Sequence, residues 1–333
     1  MNKKNKKKIK MIILILLAII LIILGFFFIG WSRPKQDIIW GINFSQKHAE
    51  NLDLDWRQVY TEILDDLGAR HLKVSVSWDF IEGKKDDYFF DDLDWQIEQA
   101  EKREAKIILV IGMKTLGWPE CHLPKWAKGL SKEEQQEQIS QLLEQVVNRY
   151  KDSQTIEYWQ VENEPFFPFG QCPWKDKEFL KKEIELVKSL DDRKVIVSES
   201  GEFPLWFSAA RHGDLVGVTT YKKVWMNETR TYFIYPFPAT FYRRKAALIN
   251  WLFKKDVFCV ELQAEPWGPK LIYDLSLEEQ DKTMNLERFK KNINFARKIG
   301  FDRNYLWGAE WMYWMKTVHN NSTVWEEAKN LFK

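Results

Sequence analysis

Cysteine is nearly absent: Cys121, Cys172 and Cys259 are the only three in 333 residues. So few exclude a disulfide framework, and with no paired spacing they make no zinc motif. Histidine is equally sparse. His48, His71, His122, His212 and His319 are scattered without His-x-His or other ligand spacing, so no metal is expected. The 15 glycines never form a phosphate-binding turn; after the first strand candidate stand Ile42, Asn43, Phe44 and Ser45. No cofactor is therefore expected. Net charge is also close to nil, at +2, and the positive excess lies in Lys3, Lys4, Lys6, Lys7, Lys8 and Lys10. Beyond these the chain is mildly acidic, so a nucleic-acid partner is not expected.

From Met11 to Trp31 the chain carries no charge and consists almost wholly of Ile, Leu, Phe, Ala and Gly. That length suits one bilayer span. A secretory leader would have a shorter apolar stretch followed by small residues at a cleavage site, whereas Trp31, Ser32, Arg33, Pro34 and Lys35 follow here. The reading is a basic cytoplasmic segment over 1–10, an uncleaved transmembrane signal anchor over 11–31, a linker over 32–37 and one domain over 38–333. By the positive-inside rule the lysine cluster keeps the N-terminus cytoplasmic and sends the domain across the membrane. Cys121 and Cys172 fall in loops after neighbouring strands, where an oxidising compartment would permit a bridge; paired and free states both stay open. Cys259 sits inside an apolar strand and reads as core.

Short β-rich runs alternate with amphipathic stretches to the end of the chain. Eight strands are expected: Ile38 to Asn43, His71 to Ser75, Lys106 to Ile111, Ile156 to Glu162, Lys194 to Val197, Leu215 to Thr219, Val257 to Leu262 and Arg303 to Trp307. Between them, apolar residues recur at helical spacing, as in Trp56, Val59, Ile63, Leu64 and Leu67 ahead of Gly68. Ser131 with Glu134, and Ser276 with Glu279, have capping-box spacing and predict helices running to about Tyr150 and Lys298. Strict alternation requires crossovers and hence a parallel sheet, and eight units predict a closed (β/α)8 barrel, an α/β fold. An open doubly wound sheet is the alternative.

Barrel sites form at the C-terminal strand ends. By the period of two, Gln160, Glu162 and Glu164 should face the lumen from the fourth strand, and Cys259, Glu261, Gln263 and Glu265 from the seventh. Isolated buried carboxylates cost several kcal/mol, so two such sets need a chemical reason. Glycosidic cleavage supplies one, because it uses two facing carboxylates.

The run Trp159 to Pro165, with Asn163, Glu164 and Pro165, resembles the fourth-strand signature of glycoside hydrolase clan A. Val260, Glu261, Leu262 and Gln263 are similar to the clan's seventh-strand segment. Trp78 to Gly83 and Ile108 to Gly112 resemble its family-5-like and β-galactosidase-like members. The resemblance implies that Glu164 is the acid/base, Glu261 the nucleophile, and the mechanism retaining. It further implies that Asn163 binds the sugar 2-hydroxyl, that Tyr221 holds the nucleophile, and that Trp307 or Trp311 floors the sugar subsite. Lys73 departs from the clan, where arginine is common, and leaves that contact in question.

Several assignments stay open. Glu265 rivals Glu261 as nucleophile, and Glu162 reads as a structural carboxylate. Glu199, Glu202 and Glu310 suit either substrate contact or local anchoring, while Asp79 and Glu82 suit loop caps. His122 is placed near the strand-three loop. Of 17 tryptophans, many fall just past strand ends, Trp78, Trp118, Trp267 and Trp314 among them, where indoles can stack on sugars. The long aromatic loops Gly112 to Lys128, Phe166 to Lys175 and Tyr221 to Ala239 point to an oligo- or polysaccharide substrate. A catalytically silent glycan-binding barrel at the cell surface and a transglycosylase in polysaccharide processing are the other readings.

Overall fold

A computed structural model of the chain describes the backbone of residues 3–333 and the side chains of residues 7–333. The side chains of Lys3, Lys4 and Lys6 in the basic cluster therefore lie outside the described residues. A helix runs over Lys3–Phe28, and its apolar portion, Lys7–Phe28, is long enough to cross a membrane. At 1.5 Å per residue those 22 residues reach about 33 Å, close to the hydrocarbon thickness of a bilayer.

The rest of the described chain contains ten strands: β1 (Ile39–Phe44), β2 (His71–Ser75), β3 (Lys106–Ile111), β4 (Ile156–Val161), β5 (Val195–Glu199), β6 (Leu215–Thr220), β7 (Lys223–Met226), β8 (Thr231–Ile234), β9 (Val257–Gln263) and β10 (Arg303–Trp307). Eight close into a parallel barrel in the order β1-β10-β9-β6-β5-β4-β3-β2. The expected eight strands are all present, with ends shifted by one or two residues. The additional β7–β8 hairpin, antiparallel, folds out of the loop after β6, where no strand was expected.

The barrel buries residues on both sides of each strand. Alternate residues such as Ile42, Leu72, Val74, Ile107, Leu109, Trp159, Val197 and Val218 pack outward against the helices in the main core. Their neighbours Ile108, Ile196, Leu215, Phe258, Val260 and Tyr305 form a separate apolar cluster that plugs the lumen floor. Gly41 makes room for it, since a Cβ there would lie 2.4 Å from the Tyr305 ring. Above this plug the inward positions turn polar.

Two local expectations needed correction. Ser276 does cap a helix, accepting from the Glu279 N–H at 3.2 Å, but that helix covers only Leu277–Asp281. A second, Leu286–Ile299, starts at its own cap, Asn285. The alternation in β9 is also broken. Val218 pairs with Cys259 and Thr219 with Glu261, so Val260 is an extra, bulged residue. Cys259 therefore packs in the main core, as expected of a residue inside an apolar strand, rather than into the lumen as its parity predicted, and the bulge lets Val260 and Glu261 both face inward.

Candidate active site

β4 stops at Val161, and the following residues leave the pleat. Glu162 and Glu164 both take left-handed backbone, with φ of 59° and 45°, a conformation that costs a non-glycine residue roughly 1–3 kcal/mol. Neighbouring hydrogen bonds offset this. The Asn163 N–H donates to the Lys114 carbonyl at 2.7 Å, the Glu164 N–H to Ser198 Oγ at 2.8 Å, and Lys114 Nζ to the Glu164 carbonyl at 3.0 Å. Gln160 faces the lumen as expected, donating to Asn163 Oδ1 and Ser198 Oγ. Glu162 does not. The backbone reversal sends its carboxylate behind the sheet, where it accepts the Met113 and Lys114 N–H groups at 2.8 and 2.7 Å. Gly112 is required there, because a Cβ would fall 2.4 Å from Glu162 Oε1. Burial lifts Glu162 to about 7, and burial with the charge of Glu162 raises its neighbour Glu183 well above the carboxylate range.

Glu164 reaches the lumen from the far side of this reversal. Its Oε1 accepts the Thr219 hydroxyl of β6 at 3.0 Å. Burial, then the negative charge of Glu261, push its pKa up to about 8, with Lys114 and Thr219 pulling the other way. The carboxyl is thus protonated at neutral pH. Glu261 has the opposite surroundings. Lys73 Nζ donates to its Oε1 at 2.9 Å and the Tyr221 hydroxyl to its Oε2 at 3.1 Å. Lys73 is wholly buried and also donates to Asn163 Oδ1 at 3.3 Å. The lysine thereby makes the contact that its difference from arginine left in question. Burial and the surrounding carboxylates hold the Tyr221 hydroxyl well above its ordinary pKa, so it remains a donor. The site therefore sets a carboxyl raised by burial and repulsion opposite one that accepts from a lysine and a tyrosine, two different environments for two carboxyl groups.

Glu265 ends up elsewhere on the lumen rim. Its Oε1 accepts the Trp307 indole N–H at 2.8 Å, and its Oε2 lies 2.9 Å from His48 Nε2. Burial opposes charging of His48, but Glu265 outweighs it and lifts the imidazole to about 9. Both Glu265 oxygens are bonded, as are both of Glu261, but it is the charge of Glu261 that acts on Glu164. Trp307 lies in the upper lumen with Val110, Leu116 and Tyr221. Trp267 packs edge-on against Tyr221 at 5.4 Å and meets Phe169, which meets Trp118, forming an aromatic arc over the mouth.

Other residues do not join this cluster. Trp311 packs in the main core and donates to Gln280, and Trp78 donates to Glu82 beneath Trp126. His122 is enclosed near Lys47, and burial drives its pKa down to about 3. Asp79 pairs with Lys47, Glu199 accepts the Ala209 N–H, and Glu310 the Ser45 N–H. Glu202 accepts the Tyr221 N–H at 3.0 Å and so anchors the loop that presents the tyrosine hydroxyl.

One carboxylate of the site had no sequence signal. Glu120, in the loop after β3, is buried, and its Oε2 has no hydrogen-bond partner. Burial lifts it to about 8; Lys114 draws it down, while Glu261 and Glu164 add to the rise. A disulfide between Cys121 and Cys172 ties this loop to the one after β4, settling the open pairing of those cysteines. Groups of histidine, cysteine or acidic residues able to hold a metal are absent among the described residues.

No family model matches the sequence, and no curated protein is similar to it at the sequence level. Solved structures are similar in shape. A β-galactosidase from the Antarctic haloarchaeon Halorubrum lacusprofundi superposes over 81% of this chain and 52% of its own, with 15% identity and a TM-score of 0.53. A GH5_18 protein from Streptomyces cattleya, in complex with GlcNAc, matches 84% of this chain and 71% of its own at 15% identity and 0.53. Xylanase 10B from Thermotoga petrophila RKU-1, in complex with xylobiose, matches 82% of each chain at 16% identity and 0.51. The chain spans about half the length of the β-galactosidases it matches. At these identities the likeness is one of fold: the chain shares the closed eight-stranded barrel of the clan A glycosidases.

Proposed function

We propose that this protein is a membrane-anchored retaining glycoside hydrolase acting on an oligo- or polysaccharide. The observation that carries the reading is the contrast between Glu164, raised by burial and by the charge of Glu261, and Glu261, whose two oxygens accept from Lys73 and Tyr221. Glu164 gives its proton to the departing glycosidic oxygen while Glu261 attacks the anomeric carbon and forms a glycosyl ester. Esterification removes the negative charge that had raised Glu164. The acid is then easier to ionise, and as a base it takes a proton from water, which attacks the same carbon and releases Glu261. Asn163 meets the sugar 2-hydroxyl. Trp307 and the arc of Trp118, Phe169 and Trp267 offer ring faces to the sugars.

The helix Lys7–Phe28 acts as an uncleaved anchor with the N-terminus cytoplasmic, supported by the lysines before it and by a disulfide that suits an oxidising compartment. The test of the chemistry is labelling by 2-deoxy-2-fluoro glycosides of gluco, galacto and manno configuration, followed by peptide mapping. A fluorosugar on Glu261 supports the reading, with Glu164→Gln and Glu261→Gln each losing roughly 10²-fold or more of kcat. Glycan binding without labelling or turnover would instead identify a catalytically silent barrel, and chain transfer to an added sugar acceptor would identify a transglycosylase.

A further inference from the structure

The apolar helix Lys3–Phe28 does not end free. Its last turn packs on the start of the helix Ala239–Phe253: Phe27 and Phe28 meet Phe241 at 5.9 and 5.4 Å between ring centres, and Phe28 meets Phe237 at 6.2 Å. Arg243 donates to the Trp31 carbonyl and Arg244 to that of Gly25. Aromatic contacts then continue away from the helix. Phe237 stacks on Phe241 at 4.6 Å and lies 5.9 Å from Phe203, which is 5.6 Å from Tyr235; Tyr235 in turn is 5.2 Å from Phe233. This run ends in large apolar side chains left in solvent: Phe203 is 61% exposed, Leu205 48%, Ile234 53% and Phe233 37%.

All of these residues lie in the loops after β5 and β6, at the same end of the barrel as Glu164 and Glu261. They are also fastened to the site. Lys222, next to Tyr221, donates from Nζ to the carbonyls of Tyr235 and Phe237. Its backbone N–H is held by Gln263 of β9. The β7–β8 hairpin thus carries part of the patch, Phe233 and Ile234, and is tied through Lys222 and Gln263 to the catalytic mouth.

We infer that the patch formed by Phe203, Leu205, Phe233 and Ile234 docks into the bilayer interface beside the N-terminal helix, holding the mouth of the site at the membrane surface, so that the preferred substrate is a lipid-linked glycan. Lipid is the occupant the structure favours, because the patch is continuous with the end of the one helix of membrane length among the described residues. Phenylalanine and leucine side chains insert at that boundary, and Arg243 and Arg244 lie beside the end of the span, within reach of headgroup phosphates. A span alone leaves a domain free to swing on its linker. A second apolar contact fixes which face looks at the membrane.

The inference rests on reading the N-terminal helix as a membrane span, and its test separates the two. The full chain is reconstituted in phosphatidylcholine and phosphatidylglycerol vesicles, with a fluorophore on Phe203→Cys or Ile234→Cys; the native free thiol, Cys259, is buried. Lys85→Cys, in the loop after β2 on the opposite side of the barrel, is the control. Labels at 203 and 234 should be quenched by nitroxide-bearing lipid and shielded from a water-borne quencher, with the reverse at 85. Water access at 203 and 234 equal to that at 85, in protein that resists carbonate extraction, overturns the docking while leaving the span intact. Release by carbonate overturns the span, and the docking with it. In activity, Phe203→Asp with Ile234→Asp should cut kcat/KM on a vesicle-borne alkyl glycoside by roughly tenfold, as expected when apolar side chains no longer insert. Turnover of a soluble aryl glycoside should be unchanged; equal losses on both substrates would overturn the substrate assignment.

Discussion

Replacing Lys73 with methionine tests what the lysine does for the proposed nucleophile, Glu261. The lysine is fully enclosed, with Nζ 2.9 Å from Glu261 Oε1 and 3.3 Å from Asn163 Oδ1. Methionine has similar length but no charge and no donor, so Glu261 retains only the Tyr221 hydroxyl. Removing one member of a buried pair destabilises by roughly 3–5 kcal/mol if the other stays ionised. Proton uptake limits that loss, because a protonated carboxyl leaves no uncompensated charge in the lumen. The sign follows: a carboxyl whose folded-state pKa is raised destabilises as pH climbs through the window between its unfolded and folded values. The variant should therefore be nearly as stable as the parent at pH 5 and melt roughly 5–10 °C lower at pH 8. In a pH profile of kcat/KM on an activated aryl glycoside, the acid limb should move to higher pH. Lys73→Arg should return the limb toward its original position because the charge is restored. An unmoved limb in folded Lys73→Met, with arginine behaving no differently, would refute the electrostatic argument.

Two further perturbations address the buried carboxylates. Glu120 titrates near 8 and is therefore neutral at pH 6, so Glu120→Gln should keep activity within a few-fold there and show a shallower alkaline limb of kcat/KM; a large loss at pH 6 would mean that its charge is needed. Glu183 is raised by burial and by Glu162, so it destabilises the fold as pH rises above the ordinary carboxylate range. Glu183→Gln should accordingly raise the melting temperature at pH 7.5 more than at pH 5, and an equal change at both would show that Glu183 is not raised in the folded protein.

The stability cost held at this site has a chemical consequence. Glu120, Glu164, Glu261 and Glu265 are all buried near one mouth, and the cations in hydrogen-bond contact with their carboxylates are Lys73 and His48. Such crowding raises the pKa of Glu164, and in the proposed mechanism esterification of Glu261 would relieve it. A retaining hydrolase needs that change in proton affinity between its two steps.

The number and order of the barrel strands, the membrane-length helix, the capping box at Ser131, and Glu164 and Glu261 as strand-end carboxylates were all readable from the chain alone. Each rests on local periodicity or on a short contiguous motif, which survives folding because neighbours in sequence stay neighbours in space. Parity failed where that locality breaks. The left-handed turns at Glu162 and Glu164 depend on hydrogen bonds from Lys114 and Ser198, and the bulge at Val260 depends on registers with β6 and β10. Glu162 was therefore turned out of the lumen and Cys259 into the core. The Lys73–Glu261 pair, the bonds of Glu265 to His48 and Trp307, the Cys121–Cys172 bridge and the intrusion of Glu120 join residues from separate strands or loops. None has a sequence signature. Only closure of the barrel, which brings β2, β4, β6 and β9 around one lumen, decided which carboxylate meets Lys73 and Tyr221 and which is raised by burial and repulsion.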